Sequence, residues 1–102
     1  MQMQYRQGDL LFVRLDIQPA GELTVRQNAV IVVGEATGHA HRLQTGRAGM
    51  ILEDFDGSLY LNIAHMTQVV HEEHSPIILD PGWWLVIRQR EYTPDAMGTV
   101  AD

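Results

Sequence analysis

The 102-residue sequence contains no cysteine and no lysine, so its seven basic residues are all arginine. The first absence excludes a thiol nucleophile, a disulfide framework, an iron–sulfur cluster and a cysteine-ligated zinc. The second excludes a Schiff-base lysine and the lysine of a phosphate-binding loop. Serine is nearly absent too: Ser58 and Ser75 are the only two, and neither sits in a nucleophile-elbow context. Long apolar runs are missing. The longest, residues 29–33 and 83–87, are five residues each and cannot cross a bilayer. The opening MQMQYRQGDL lacks the charged and apolar regions of a secretory signal. Positive charge is scarce and scattered, seven arginines against 13 acids for a net charge of -6, which disfavours a grip on a phosphate backbone. These absences imply a soluble, cytoplasmic protein whose partner is neither a membrane nor a nucleic acid. The chemistry left to it is that of histidine, carboxylates, arginine and hydroxyls.

What is present reads as all-β. Helical periodicity is nearly absent, and short apolar or alternating runs recur between turn residues. Residues 10–16 (LLFVRLD) follow Gly8-Asp9 and form the first expected strand, closed by Pro19-Ala20-Gly21. Further strands are expected over 23–26, 29–35, 38–44, 50–54, 58–63, 67–71, 77–79 and 83–92. The 29–35 strand is β-branched on both faces and is expected to lie centrally. Phe55-Asp56-Gly57 marks a hairpin. Turns at this spacing predict a small barrel, roll or sandwich of about seven to nine short strands, as one domain over residues 1–92. Residues 93–102 lose all periodicity and read as a tail or arm.

Four of the five histidines fall in two tight pairs, His39 with His41 and His71 with His74. On a strand, the i, i+2 spacing of Gly38-His39-Ala40-His41 aims both imidazoles at one face, where two ring nitrogens can share an ion. Glu35 has the same parity, and Gly38 leaves room for a bulge. His71-Glu72-Glu73-His74 has an i, i+3 spacing, so its rings converge only if the chain turns, as the following Ser75-Pro76 suggests. His71 or His74 would then approach His39 and His41 from a neighbouring strand. Glu35, Glu72 and Glu73 would complete the site, orient its ligands or act as base. Two readings stay open: a divalent transition metal held by His39, His41, His71 and His74, or a polar, pH-responsive structural cluster. His65 shares parity with Leu59, Leu61 and Ile63 and is expected to be a partly buried structural histidine.

In the last strand Trp83, Leu85 and Ile87 share one face, and Trp84 and Val86 the other. One tryptophan is expected in the core, leaving the second to cover a ligand or a subunit interface. A strand apolar on both faces in so small a domain points to a homo-oligomer. Arg88, Arg90 and Tyr92 alternate onto one face, where pairing of the arginines with carboxylates is the expected fate.

Three segments together, Gly34-Glu35-Ala36-Thr37-Gly38-His39-Ala40-His41, His71-Glu72-Glu73-His74 and Gln89-Arg90-Glu91-Tyr92, resemble a family of small uncharacterised bacterial and phage-associated proteins. The Pro81-Gly82 turn, the opening Gln7-Gly8-Asp9 and the closing Val100-Ala101-Asp102 fit the same pattern, so the resemblance spans nearly the whole chain. It implies no particular reaction. The His-x-His pair beside a glycine is also similar to the first metal motif of cupins. Cupins carry a glutamate shortly after that pair, which residues 42–46 lack, and a histidine after a Pro-Gly turn, where Trp83 and Trp84 stand here. That resemblance implies only an all-β, cupin-like cavity. Residues 8–16 are similar, over a short stretch, to the opening of co-chaperonins. Two functions follow from the residues: a β module that assembles with itself or another protein, or a metal-binding protein or metal-dependent enzyme built on His39, His41 and one of His71 or His74. No catalytic residue can be assigned.

Overall fold

The alternation of apolar and polar residues resolves into strands and turns throughout the part of the chain that the computed structural model describes, residues 3–33, 38–44 and 47–89. Ten strands occur there: β1 (Gln4–Gln7), β2 (Leu10–Leu15), β3 (Thr24–Val25), β4 (Val30–Val33), β5 (Ala40–Leu43), β6 (Gly49–Glu53), β7 (Leu59–Ile63), β8 (Thr67–Val70), β9 (Ile77–Leu79) and β10 (Gly82–Arg88). They form a six-stranded sheet in the order β1-β2-β10-β7-β6-β3 and a four-stranded sheet in the order β4-β5-β8-β9. Every pairing is antiparallel. Among the described residues no helix is long and apolar enough to cross a membrane.

Both sheets contribute to one core. Leu10, Phe12, Ile51, Leu61, Ile63, Trp84 and Val86 come from the six-stranded sheet; Ile31, Leu43, Val69 and Leu79 come from the four-stranded one. Strand β10 shows how alternation selects these residues. Trp84 and Val86 point inward and are buried, whereas Trp83 and Leu85 are half-buried and Ile87 is exposed on the other face. The Trp84 indole donates its N–H to the Asp80 carbonyl at 3.0 Å, which satisfies its one polar atom. Tyr5 lies 5.8 Å from the Trp84 ring, as does the Arg14 guanidinium carbon. The β6–β7 hairpin is set by Asp54, whose Oδ1 accepts from the amides of Asp56 and Ser58 at 3.0 and 2.9 Å. Gly57 closes that loop with φ of 88°, a conformation side chains resist.

Three expectations change. A strand, β1, precedes the first expected one. Gln4-Tyr5-Arg6-Gln7 carries little apolar signal because β1 is an edge strand that buries a polar residue, Gln7. Strand β4 lies at a sheet edge rather than centrally, and Val33 is exposed. Its β-branched residues persist at the edge because Arg26 Nη1 donates to the carbonyls of Val30 and Ile31, at 3.2 and 3.0 Å, and so occupies acceptors that another chain would seek. Strand β7 stops at Ile63, so the parity that predicts burial of His65 does not reach it, and His65 is exposed. The expected end of the last strand at 90–92 and the tail at 93–102 lie outside the described residues.

Gly49 allows a close approach to neighbouring backbone in the large sheet. A Cβ there would sit 2.8 Å from the Asn62 carbonyl oxygen and 2.8 Å from Ile63 Cδ1. Because the first contact is backbone, a Gly49→Ala chain is expected to lose about 1–3 kcal/mol, measured as a lower urea midpoint with an unchanged slope.

Candidate functional site

Strands β5 and β8 are hydrogen-bonded neighbours, with Arg42 opposite Val70 and Leu43 opposite Val69. That pairing sets the two histidine segments side by side. Gly38, with φ of 77°, turns the backbone before β5 begins, so His39 lies outside the regular alternation and is half-buried. His41 lies within β5 and is fully buried. After β8 the chain bends through residues 72–74, and the bend brings His71 and His74 to a ring separation of 4.5 Å.

The four rings form one cluster. His71 is its centre, 4.4 Å from His41 and 5.6 Å from His39, the latter edge to face. His41 and His74 are nearly parallel, 6.2 Å apart. Only part of this cluster has the spacing to hold an ion. His39, His71 and Glu72 each offer a ligand atom within 4.8 Å of the others. His41 and His74 do not join that group. Tetrahedral ligands at about 2.0–2.1 Å from one ion stand roughly 3.4 Å apart, so side-chain rotations of about 1 Å would close the three around a metal. Glu73 lies beside them, its Oε1 3.4 Å from His39 Nδ1. Glu35 falls outside the described residues. Trp83 and Trp84 sit on β10, in the other sheet. Trp84 is core, and Trp83 is half-buried on the outer face.

The buried half of the site contains residues with no obvious sequence signal. Gln7 Nε2 donates to the carbonyls of Val69 and Ser75 at 2.9 and 3.0 Å, which turns its Oε1 toward His41 Nδ1 at 2.8 Å. A carbonyl oxygen can only accept, so His41 carries its proton on Nδ1. The other nitrogen, Nε2, faces Asp9 Oδ1 at 3.4 Å, and both atoms are buried. The second Asp9 oxygen accepts from Arg88 Nε at 2.9 Å, the pairing expected for an arginine of the last strand. Burial, and then the nearby His71, push the His41 pKa down to about 4, against the smaller pull of Asp9. The ring is therefore neutral at physiological pH.

The open half is differently charged. Glu72 Oε2 accepts from the Ala40 amide at 2.9 Å and Oε1 from Arg42 Nη2 at 3.0 Å. The amide, chiefly, holds the Glu72 carboxyl below its ordinary pKa, and the Arg42 charge adds to this. His71 Nδ1 accepts from the Glu73 and His74 amides at 3.1 and 3.3 Å, so the neutral ring carries its proton on Nε2. A cleft of about 240 Å³ opens beside these groups, bordered by Ala40, Arg42, Val70, His71 and Glu72. Chemically the arrangement offers two imidazoles and one ionised carboxylate as donors, with an arginine at the rim.

A family described as Domain of unknown function (DUF8820) matches residues 6–89, most of the chain. The chain belongs to this family. The match takes in both histidine segments, β5, β8 and the Gln7–Asp9 turn. No curated protein and no solved structure shows a match to it.

The low His41 pKa makes a pH prediction for this family member. Its folded pKa lies below the unfolded value of 6.5, so the unfolded state binds the proton more readily. The stability this contributes is fully present above pH 6.5 and is lost as pH falls toward 4, a total of about 3 kcal/mol. Chemical denaturation at several pH values should show stability declining across that window, and the decline should flatten in a His41→Asn variant.

Proposed function

We propose that this protein is a β module that binds a divalent transition metal through His39, His71 and Glu72, with room for exogenous ligands on the ion. The observation that carries the reading is the convergence of three ligand atoms, two from histidine and one from an ionised carboxylate, at the partly open end of adjacent strands. Two imidazoles and a carboxylate suit zinc, iron, nickel or cobalt better than calcium or magnesium. Three protein ligands leave at least one position open, as in sites that polarise a substrate oxygen or activate water. Glu73, next to His39, is placed to orient that ligand or to accept a proton.

Metal capture would also act on the 71–74 bend. With Nδ1 of His71 accepting two amides, an ion on Nε2 would move the ring proton to Nδ1 and displace both donors. An ion on Nδ1 would replace them directly. In either case the amides of Glu73 and His74 change partners on binding.

A second feature supports self-assembly. On the outer face of the large sheet Leu11, Leu15, Trp83 and Leu85 are half-buried, Ile87 is exposed, and cross-strand register sets them side by side. None of them belongs to the core cluster. A second copy of the chain seated there would bury an apolar face that the first copy leaves outside its core. Light scattering across a concentration series would show a dimer or larger species, and Ile87→Glu would shift it toward monomer. A strict monomer at all concentrations would exclude this second reading.

For the metal, protein purified without a histidine tag should hold about one equivalent by elemental analysis after loading with zinc, nickel or iron. At a free concentration about 100 times Kd, the melting temperature should rise by roughly 10 °C. His39→Ala, His71→Ala and Glu72→Gln should each weaken binding by about tenfold or more, whereas His65→Ala should leave it unchanged. Less than a tenth of an equivalent, with no thermal shift, would exclude the site.

A further inference from the structure

We infer that the ligand completing this metal site is a small monocarboxylate, held with one oxygen on the ion and the other on the Arg42 guanidinium. The inference rests on the metal reading above and adds to it the class of molecule bound. Arg42 and Glu72 follow from the antiparallel pairing of β5 and β8, which sets Arg42 opposite Val70, two residues before Glu72. Arg42 therefore borders the same cleft as two of the three metal ligands, His71 and Glu72. Its contact with Glu72, 3.0 Å from Nη2 to Oε1, uses one of five N–H donors. The side chain is 47% exposed, so the remaining donors are within reach of a ligand entering from solvent.

Charge selects a monoanion. A divalent ion and Arg42 supply three positive charges, and Glu72 and the adjacent Glu73 supply two negative ones. One further negative charge neutralises the site, and a dianion would overshoot it. Glu72, on giving up electron density to the ion, holds Arg42 less strongly, which frees the guanidinium fork for a second carboxylate. The rest of the cleft selects a carboxylate over a mineral oxyanion. Val70 and Ala40 form an apolar border against which a short aliphatic body can lie, and the Ala40 amide is already taken by Glu72. A volume of about 240 Å³ leaves room for a short-chain carboxylate.

The test uses tag-free, full-length protein loaded with cobalt(II), whose visible spectrum reports coordination. Cobalt binding is measured first. Acetate, propionate, sulfate and phosphate are then titrated in a non-coordinating buffer. A saturable spectral shift is expected with acetate and propionate, and propionate should bind at least as tightly as acetate. Arg42→Gln, compared at saturating cobalt because Arg42 also contacts Glu72, should weaken carboxylate binding by about tenfold or more, and Arg42→Lys should lie between. If cobalt binds but the carboxylates cause no saturable shift, the carboxylate site is overturned and the metal site stands. Equal carboxylate affinity in Arg42→Gln overturns the role of Arg42, and tighter binding of sulfate or phosphate overturns the ligand class. If cobalt does not bind, both readings fall, and they do so before any anion is added.

Discussion

The structure depends most on one buried imidazole. His41 lies between the two sheets, fully buried, and each of its nitrogens faces a residue from the β1–β2 turn. Gln7 ties that turn to Val69 on β8 and to Ser75 beyond it, and Asp9 ties it to Arg88 on β10. A network of polar side chains thus crosses a core that is otherwise apolar. Its cost is set by asymmetry: the bonds of Gln7 and Arg88 contribute modestly, whereas loss of Gln7 would leave His41 Nδ1 buried and unmatched, as His41 Nε2 and Asp9 Oδ1 already are. This makes the network a strong constraint on register. A slip of β5 by one residue would put Ala40 or Arg42 where His41 meets Gln7, and the sheets could not close as they do.

That constraint also divides the histidine cluster into two kinds of site. His41 is held neutral and inward by burial, with its tautomer set by Gln7. Its neighbours His39 and His71 reach the surface beside ionised Glu72. The buried ring serves as a fixed floor against which His71 packs at 4.4 Å. A donor set needs such backing, since a ligand free to rotate loses orientation each time the ion leaves. The absence of cysteine fits this division, because without thiolates the usual transition-metal donors left to the chain are imidazoles and carboxylates, and the fold gathers several of them at one end of two strands.

Much of this was legible in the sequence, and the exceptions share a cause. Period-two alternation identified the last strand and put Trp83 and Trp84 on opposite faces without saying which is core, and Asp56-Gly57 identified the β6–β7 hairpin, because both signals are local. The pairs His39/His41 and His71/His74 were legible for the same reason, and the bend needed to join His71 to His74 is announced by Ser75-Pro76. Parity failed at His39 and at His65, since both lie just outside a regular strand, where alternation no longer determines the face. Gln7 and Asp9 entered only as part of the family resemblance, with no local signal of burial or of a role at the histidines. A glutamine and an aspartate near a turn look like solvent-facing residues, and only contacts 34 and 79 positions away, to His41 and Arg88, explain their burial. Arg42 was likewise invisible as a partner of Glu72 until the β5–β8 register brought them together.

The His71 ring links the two halves energetically. Its Nδ1 accepts from two amides at lengths near the upper end of the hydrogen-bond range, 3.1 and 3.3 Å, and each is worth on the order of 1 kcal/mol or less. A metal–imidazole bond exceeds that by a wide margin, so an ion would reorganise the bend rather than be excluded by it. His41 does not follow, because Gln7 holds its Nδ1 and the core encloses its ring. The bend between β8 and β9 is therefore the element free to respond at this end of the fold, and β5 is the element that stays.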